Sequence, residues 1–178
     1  MKSGVFKEFV FPTLVLTLIC LFGTAALAFT NSVTAPIIEE ANAKAAQEAR
    51  MQLLPEADSF TPISLDGIEG LVDIYQADNG AGYVVTSQAN GYGGAIQVMT
   101  GITADGTISG CTVLSHEESP GLGDRVAEEP DLSQYVGKGP DLEGVDAISG
   151  STRSSDAFEQ AVGIAFQAYD AATGKEAA

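Results

Sequence analysis

Residues 9–29 carry no charged side chain, and this run constrains the 178-residue chain more than any other stretch. A hydrocarbon layer about 30 Å thick needs roughly 20 helical residues at about 1.5 Å each, so residues 9–29 are expected to form a membrane-spanning helix. Pro12 falls in its first turns, where a missing N–H costs least. Lys2 and Lys7 precede the run, opposed only by Glu8, whereas all but one of the 24 acidic residues lie elsewhere in the chain. The positive-inside rule then keeps residues 1–8 in the cytoplasm, with a single pass through the inner (cytoplasmic) membrane and the bulk of the chain outside. A cleaved signal peptide is the competing reading, because Ala26-Leu27-Ala28 fits a small-x-small cleavage site. The uncharged run exceeds the roughly 7–15 residues of a signal core, and an acid sits before it, so a retained anchor is favoured. Cys20 follows Ile19 rather than a small residue, which argues against lipidation there.

Beyond the anchor, charge excludes one class of partner. The formal net charge of −16 repels phosphate backbones, which bind through clustered Lys and Arg, so nucleic acid is ruled out. A hydrophobic content of 45% excludes a wholly disordered chain. The two cysteines, Cys20 in the apolar run and Cys111 far beyond it, provide neither a disulfide scaffold nor a zinc centre.

Pro36 to Leu54 reads as a juxtamembrane helix. Pro36 suits a first turn, Glu39 and Glu40 complement the positive end, and Ile37, Ile38, Ala41, Ala45, Ala49 and Leu53 fall near helical spacing. Pro55 ends it, and a Pro- and Asp-bearing loop follows. Four β-type segments come next, at 70–76, 82–87, 95–102 and 107–115, with Asp78-Asn79-Gly80 and Asp105-Gly106 as turns. This predicts an antiparallel meander. Glycine-rich tracts lie at Asn90-Gly91-Tyr92-Gly93-Gly94 and Pro120-Gly121-Leu122-Gly123. A final helix is expected from near Asp156, where Asp156 and Glu159 match an N-cap and its partner three residues on; Phe158, Val162, Ala165, Phe166 and Tyr169 form its apolar stripe. The class is α+β, with an anchor at 9–29, a juxtamembrane helix and linker at 30–60, and a sheet domain at 61–178.

Ahead of that helix stands Asp146-Ala147-Ile148-Ser149-Gly150-Ser151-Thr152-Arg153-Ser154-Ser155. Hydroxyls, a flexible glycine and a guanidinium at a helix N-terminus make a plausible anion site, since unpaired N–H groups and the dipole favour negative charge there. A solvated serine-rich loop that merely caps the helix has the same composition.

Asp146 to Thr152 resembles the D-x-x-S/T-G-A-T motif of the FMN-binding domain found in the G subunit of the Rnf ion-translocating ferredoxin:NAD oxidoreductase and in the C subunit of the sodium-pumping NADH:quinone reductase. His116 to Gly123 resembles the same family's H-x-E-T-P-G-L-G, with Ser119 in place of threonine, and Gly91-Tyr92-Gly93-Gly94 resembles its G-Y-x-G segment. The resemblance implies covalent FMN, attached through a phosphoester to Thr152 by a flavin transferase, with Asp146, Ser149 and Gly150 as recognition positions. Ser151 stands where the family has alanine and adds a neighbouring hydroxyl. Arg153 would face the phosphodiester, and Tyr92, Gly93, Glu118, Gly121, Leu122 and Gly123 would border the flavin. Tyr92 and Leu122 have core burial as an equally good account, and Glu117 and Glu118 have solvation. His116 has no partners for a nucleophilic triad and is read as structural; Cys111 is read as a small core residue. The implied role is an electron-relaying subunit within a membrane complex, its partners being the other subunits, the transferase and membrane lipid. The equivalent quinone-reductase subunit and an anchored binding module without redox chemistry are the alternatives.

Overall fold

A computed structural model describes residues 10–128 and 132–174. Lys2, Lys7 and Glu8, on which the expected orientation rests, lie outside the described residues, as does the side chain of Glu39. The described chain divides into two compact units after Ala45.

The first unit is helical. Helix α1 runs over Phe11–Leu53, with Pro12 near its start, and its apolar part reaches a mean hydropathy of 2.1 with none of it buried. It is long and apolar enough to cross a membrane. The break expected before Pro36 is not there: Pro36 lies inside the continuous helix. A proline in a helix removes one N–H and crowds the carbonyl four residues back. Ahead of it, the hydroxyls of Thr30, Ser32 and Thr34 donate to the carbonyls of Ala26, Phe29 and Thr30 at 2.8–3.0 Å. Beyond it, the alanine-, glutamate- and glutamine-rich sequence favours helix strongly enough to continue the turn.

The second unit is built on a five-stranded antiparallel meander in the order β1-β2-β3-β4-β5: β1 Phe60–Ile63, β2 Leu71–Ala77, β3 Gly82–Asn90, β4 Ala95–Thr103 and β5 Ile108–Ser115. The four expected strands are present within a few residues of their predicted ends. β1 is the addition. It holds Pro62, which hides a strand in sequence, yet an edge strand tolerates a residue that cannot donate. β1 pairs Phe60 with Ala77 and Ile63 with Ile74, and the Ser59 and Thr61 hydroxyls both donate to Asp78. Those two bonds hold the Asp78 carboxyl below the usual aspartate range. At the other edge, Ile108 donates to the Lys138 carbonyl and accepts from the Gly137 N–H, at 2.9 and 2.8 Å.

Alternation gives the sheet two apolar faces. One carries Ala77, Val84 and Met99 and is closed by Leu53 at the end of α1 with Leu54 and Ala57 beyond it. The other carries Ile74, Val85, Ile96, Val98, Ile102 and Cys111. Against this second face lies α2, Thr152–Thr173, whose expected stripe of Phe158, Val162, Ala165, Phe166 and Tyr169 is buried throughout. The Ser87 hydroxyl donates 2.7 Å to the Ala161 carbonyl, and Tyr169 donates 3.0 Å to Ala104, which fixes α2 across the strands. Cys111 sits in this core as expected, its thiol pushed up to about 12, mainly by burial.

Between β5 and α2 the described chain includes two short 3₁₀ turns, Gly123–Ala127 and Ser133–Tyr135. They send Val126 and Tyr135 into the core, with the Tyr135 ring 4.7 Å from that of Phe158.

Candidate functional site

α2 begins four residues earlier than its sequence suggested. The N–H groups of Ser154 and Ser155 both reach the Ser151 carbonyl at 3.0 Å, which makes Ser151 the N-cap residue and Thr152 the first residue of the helix. Asp156 is therefore not a cap. It lies one turn further on beside Glu159, whose carboxyl is raised above the ordinary glutamate range by burial first and by the Asp156 charge second. The sequence misled because Asp-x-x-Glu has the spacing of a capping box, whereas the serines before it are engaged in tertiary bonds that make an earlier start possible.

Those bonds sort the hydroxyls. Ser151, 6% exposed, donates 2.7 Å to the Leu122 carbonyl. Ser154 donates 2.6 Å to Glu118 Oε2, and Ser155 accepts 3.0 Å from the Ile148 N–H. Thr152 is exposed at the helix end, and its hydroxyl has no hydrogen bond among the described residues. Arg153 beside it is exposed as well.

A pocket of about 530 Å³ opens over this first turn. Its lining includes Glu118, Gly123, Ser151, Gly150, Thr152 and Arg153. Tyr92, 73% exposed, and Leu122, 49% exposed, line it too, so neither is a core residue. The volume falls within the roughly 300–1,000 Å³ of ligand sites. Its lining joins apolar side chains to a helix N-terminus and a guanidinium, the donors an anion requires. These features fit a flat aromatic ring carrying a phosphate.

Glu118 is the hub. Its neighbour Glu117 is solvated, but Glu118 is 6% exposed. Oε1 accepts from the Gly93 N–H at 3.0 Å while Oε2 takes the Ser154 hydroxyl. Burial would raise its pKa, yet the Ser154 hydroxyl, the N–H groups of Gly93 and Tyr92 and the nearby His116 together hold it below the ordinary glutamate value. Two glycines of the tracts approach this carboxylate, since a Cβ on Gly91 would run into Oε1 and one on Gly123 into Oε2, while Gly93 and Gly94 approach Glu117. His116 has a structural place, its Nδ1 accepting from the Glu118 N–H at 3.3 Å.

Asp146, Ser149, Gly93 and Gly121 do not line the pocket. Asp146, Ser149 and Gly121 are exposed. Gln134 clasps the backbone of Asp146, accepting from its N–H at 2.9 Å and donating to its carbonyl at 3.3 Å. Gln134 has no place in the sequence reading, and Ser154 and Ser155 enter it only among the hydroxyls of the anion-site stretch, not as buried partners. The two serines had a signal, since they share the helical face of Phe158 and Val162 and so had to be buried; Gln134 had none.

Residues 91–167, which hold both glycine loops, the pocket and most of α2, match the model of the FMN-binding domain family. Among whole-chain relatives, the G subunit of the sodium-translocating ferredoxin:NAD oxidoreductase complex of Acetobacterium woodii is 36% identical over 88% of this chain and 89% of its own. The proton-translocating counterpart of Clostridium ljungdahlii is 27% identical over 89% and 90%, and the G subunit of the ion-translocating oxidoreductase complex of Methanosarcina acetivorans is 32% identical over 88% and 92%. Among solved structures, the crystal structure of Shewanella oneidensis NqrC aligns with a TM-score of 0.47 at 24% identity, over 60% of this chain and 63% of that one. The chain belongs to the family of G subunits of ion-translocating oxidoreductase complexes, and it carries that family's FMN-binding domain.

Proposed function

We propose that the protein is a membrane-anchored flavoprotein that relays electrons through FMN bound covalently to Thr152, within an Rnf-type ferredoxin:NAD oxidoreductase. Bound FMN supplies one- and two-electron chemistry, so the protein's task is to hold and tune it. The observation that carries the reading is the sorting of hydroxyls: Ser151, Ser154 and Ser155 are engaged, while Thr152, whose hydroxyl has no hydrogen bond among the described residues, lines the pocket. Arg153 and the first N–H groups of α2 would hold the phosphate, while Tyr92 and Leu122 would border the ring. Asp146 and Ser149, outside the pocket, would serve the transferase that attaches the flavin.

An alcohol forms a phosphoester only from an activated donor. The donor class is a flavin dinucleotide: Thr152 Oγ1 forms a bond to the flavin-bearing phosphorus as the phosphoanhydride bond breaks. The nucleoside monophosphate leaves, and the threonine proton passes to solvent. Residues 9–29 would anchor the domain, with residues 61–178 on the extracytoplasmic side and the other complex subunits as redox partners.

The test is co-expression with a flavin transferase followed by intact-mass and peptide mass spectrometry. The native chain is expected to gain one FMN on the peptide containing Thr152; T152V is expected to gain none, and S151A to label normally. Flavin on T152V at full stoichiometry would move the site to a serine, and its absence from every version would leave an anchored binding module.

A further inference from the structure

We infer that Glu118 is a positioning residue for flavin attachment: its carboxylate ties the glycine loop after β3 to the first turn of α2, and so fixes where Thr152 presents its hydroxyl. This deepens the reading of Thr152 as the flavin acceptor and rests on it. Both carboxylate oxygens are engaged inside the protein, one by the Gly93 N–H and one by the Ser154 hydroxyl, which leaves Glu118 to act through its neighbours rather than on the flavin. Burying a carboxylate is unfavourable unless its oxygens are hydrogen-bonded, and here each oxygen has a donor from a different segment.

The surrounding backbone is shaped to this group. Gly91 and Gly123 close on opposite oxygens, where any Cβ would collide. The same segment grips the helix a second time, because the Ser151 hydroxyl donates to the carbonyl of Leu122. Thr152 therefore sits between two anchored positions, Ser151 and Ser154, both held by residues 118–122. A helix end is normally its most mobile turn, and a hydroxyl that must meet a phosphorus in line loses rate steeply when misplaced. Pinning the turn on both sides of Thr152 answers that requirement.

The experiment uses the purified full-length chain in detergent, incubated with flavin transferase and flavin adenine dinucleotide, with initial labelling rates read by mass and in-gel fluorescence. E118A is expected to label on the order of tenfold more slowly or worse, through kcat with the KM for the acceptor chain unchanged, because the hydroxyl is misplaced rather than the transferase undocked. E118Q keeps an acceptor for Gly93 and places a donor toward Ser154, so it is expected to recover to within about threefold of native. S154A removes one bond alone and is expected to slow labelling about threefold, with the double variant E118A/S154A no slower than E118A, since the two groups act as one unit. Labelling of E118A at the native rate, or a loss confined to KM, overturns the proposal. If E118A does not fold, as judged by loss of a cooperative thermal transition, the S154A and E118Q arms decide: native-rate labelling of S154A together with failure of E118Q overturns it. A native chain that takes no flavin at all overturns the Thr152 reading instead, which keeps the two failures apart.

Discussion

From β2 to β5 the chain is held by backbone ladders between strands, whereas from His116 to Ser155 most of the described backbone bonds close local turns and the longer links fall largely to side chains. In the sheet, register pairs such as Val85 with Thr100 satisfy the main chain, and the side chains are left to pack. In the segment leading to α2, the work passes to Glu118, Ser151, Ser154, Ser155 and Gln134, each bonding a backbone group, a hydroxyl or a carboxylate across a loop. The difference teaches where chemistry can reside. A ladder is indifferent to side-chain identity beyond size and polarity, while a loop held by named hydroxyls and a carboxylate positions particular atoms and tolerates few replacements.

Substitutions sharpen the contrast. Phe158→Ala removes a fully buried ring packed on Tyr135 at the junction of the two regions and is expected to cost about 3–5 kcal/mol, read as a fall in thermal midpoint. A smaller loss than that of Ser154→Ala would mean that the loop, not the core, dominates. Gly123→Ala adds one methyl group against Glu118 Oε2 and the Ser154 hydroxyl and is expected to cost about 1–3 kcal/mol by denaturant titration. Ser87→Ala deletes a buried hydroxyl bond on the ladder side and is expected to cost about 1 kcal/mol, since the Ala161 carbonyl keeps its helical environment.

Acid separates the regions without mutation. The Glu118 carboxyl lies below its ordinary value in the folded state, so its ionised form contributes stability that is present above the unfolded glutamate value of about 4.3 and lost as pH falls through the folded one. Glu118→Gln should flatten that acid limb of the stability curve; an unchanged limb would remove Glu118 as its source. At the other extreme, Cys111 titrates at about 12 in the sheet core, and alkylation at about pH 8 should wait for unfolding. Modification of Cys111 itself in the native chain at a free-thiol rate, read by peptide mass to separate it from the exposed Cys20, would show that the core opens.

The same contrast decides what could be read from sequence. Alternation and turn residues revealed four strands and the stripe of α2, because packing leaves a period behind. β1 escaped, since Pro62 and a four-residue length erase the pattern. The single helix from Phe11 to Leu53 escaped because Pro36 looks like a beginning when the hydroxyls that precede it are not seen bonding back. At the site, the motif residues were legible as residues but not as partners. Nothing in Glu117-Glu118 says which acid is buried, and the start of α2 at Thr152 depends on bonds to Leu122 and Glu118 that join positions some thirty residues apart in sequence. The period of α2 did place Ser154 and Ser155 on the inner face, a signal overlooked in favour of a local capping pattern.

The two ends of the meander have a bearing on how this chain survives before it is assembled. An open sheet offers its outermost strands to any other strand, including that of a second copy. Here one margin contains Pro62, which has no N–H to offer, and at the other the main-chain groups of Ile108 are already taken by Gly137 and Lys138. With the formal net charge of −16 adding like-charge repulsion, both margins carry a feature that hinders edge-to-edge association before the chain meets its partners.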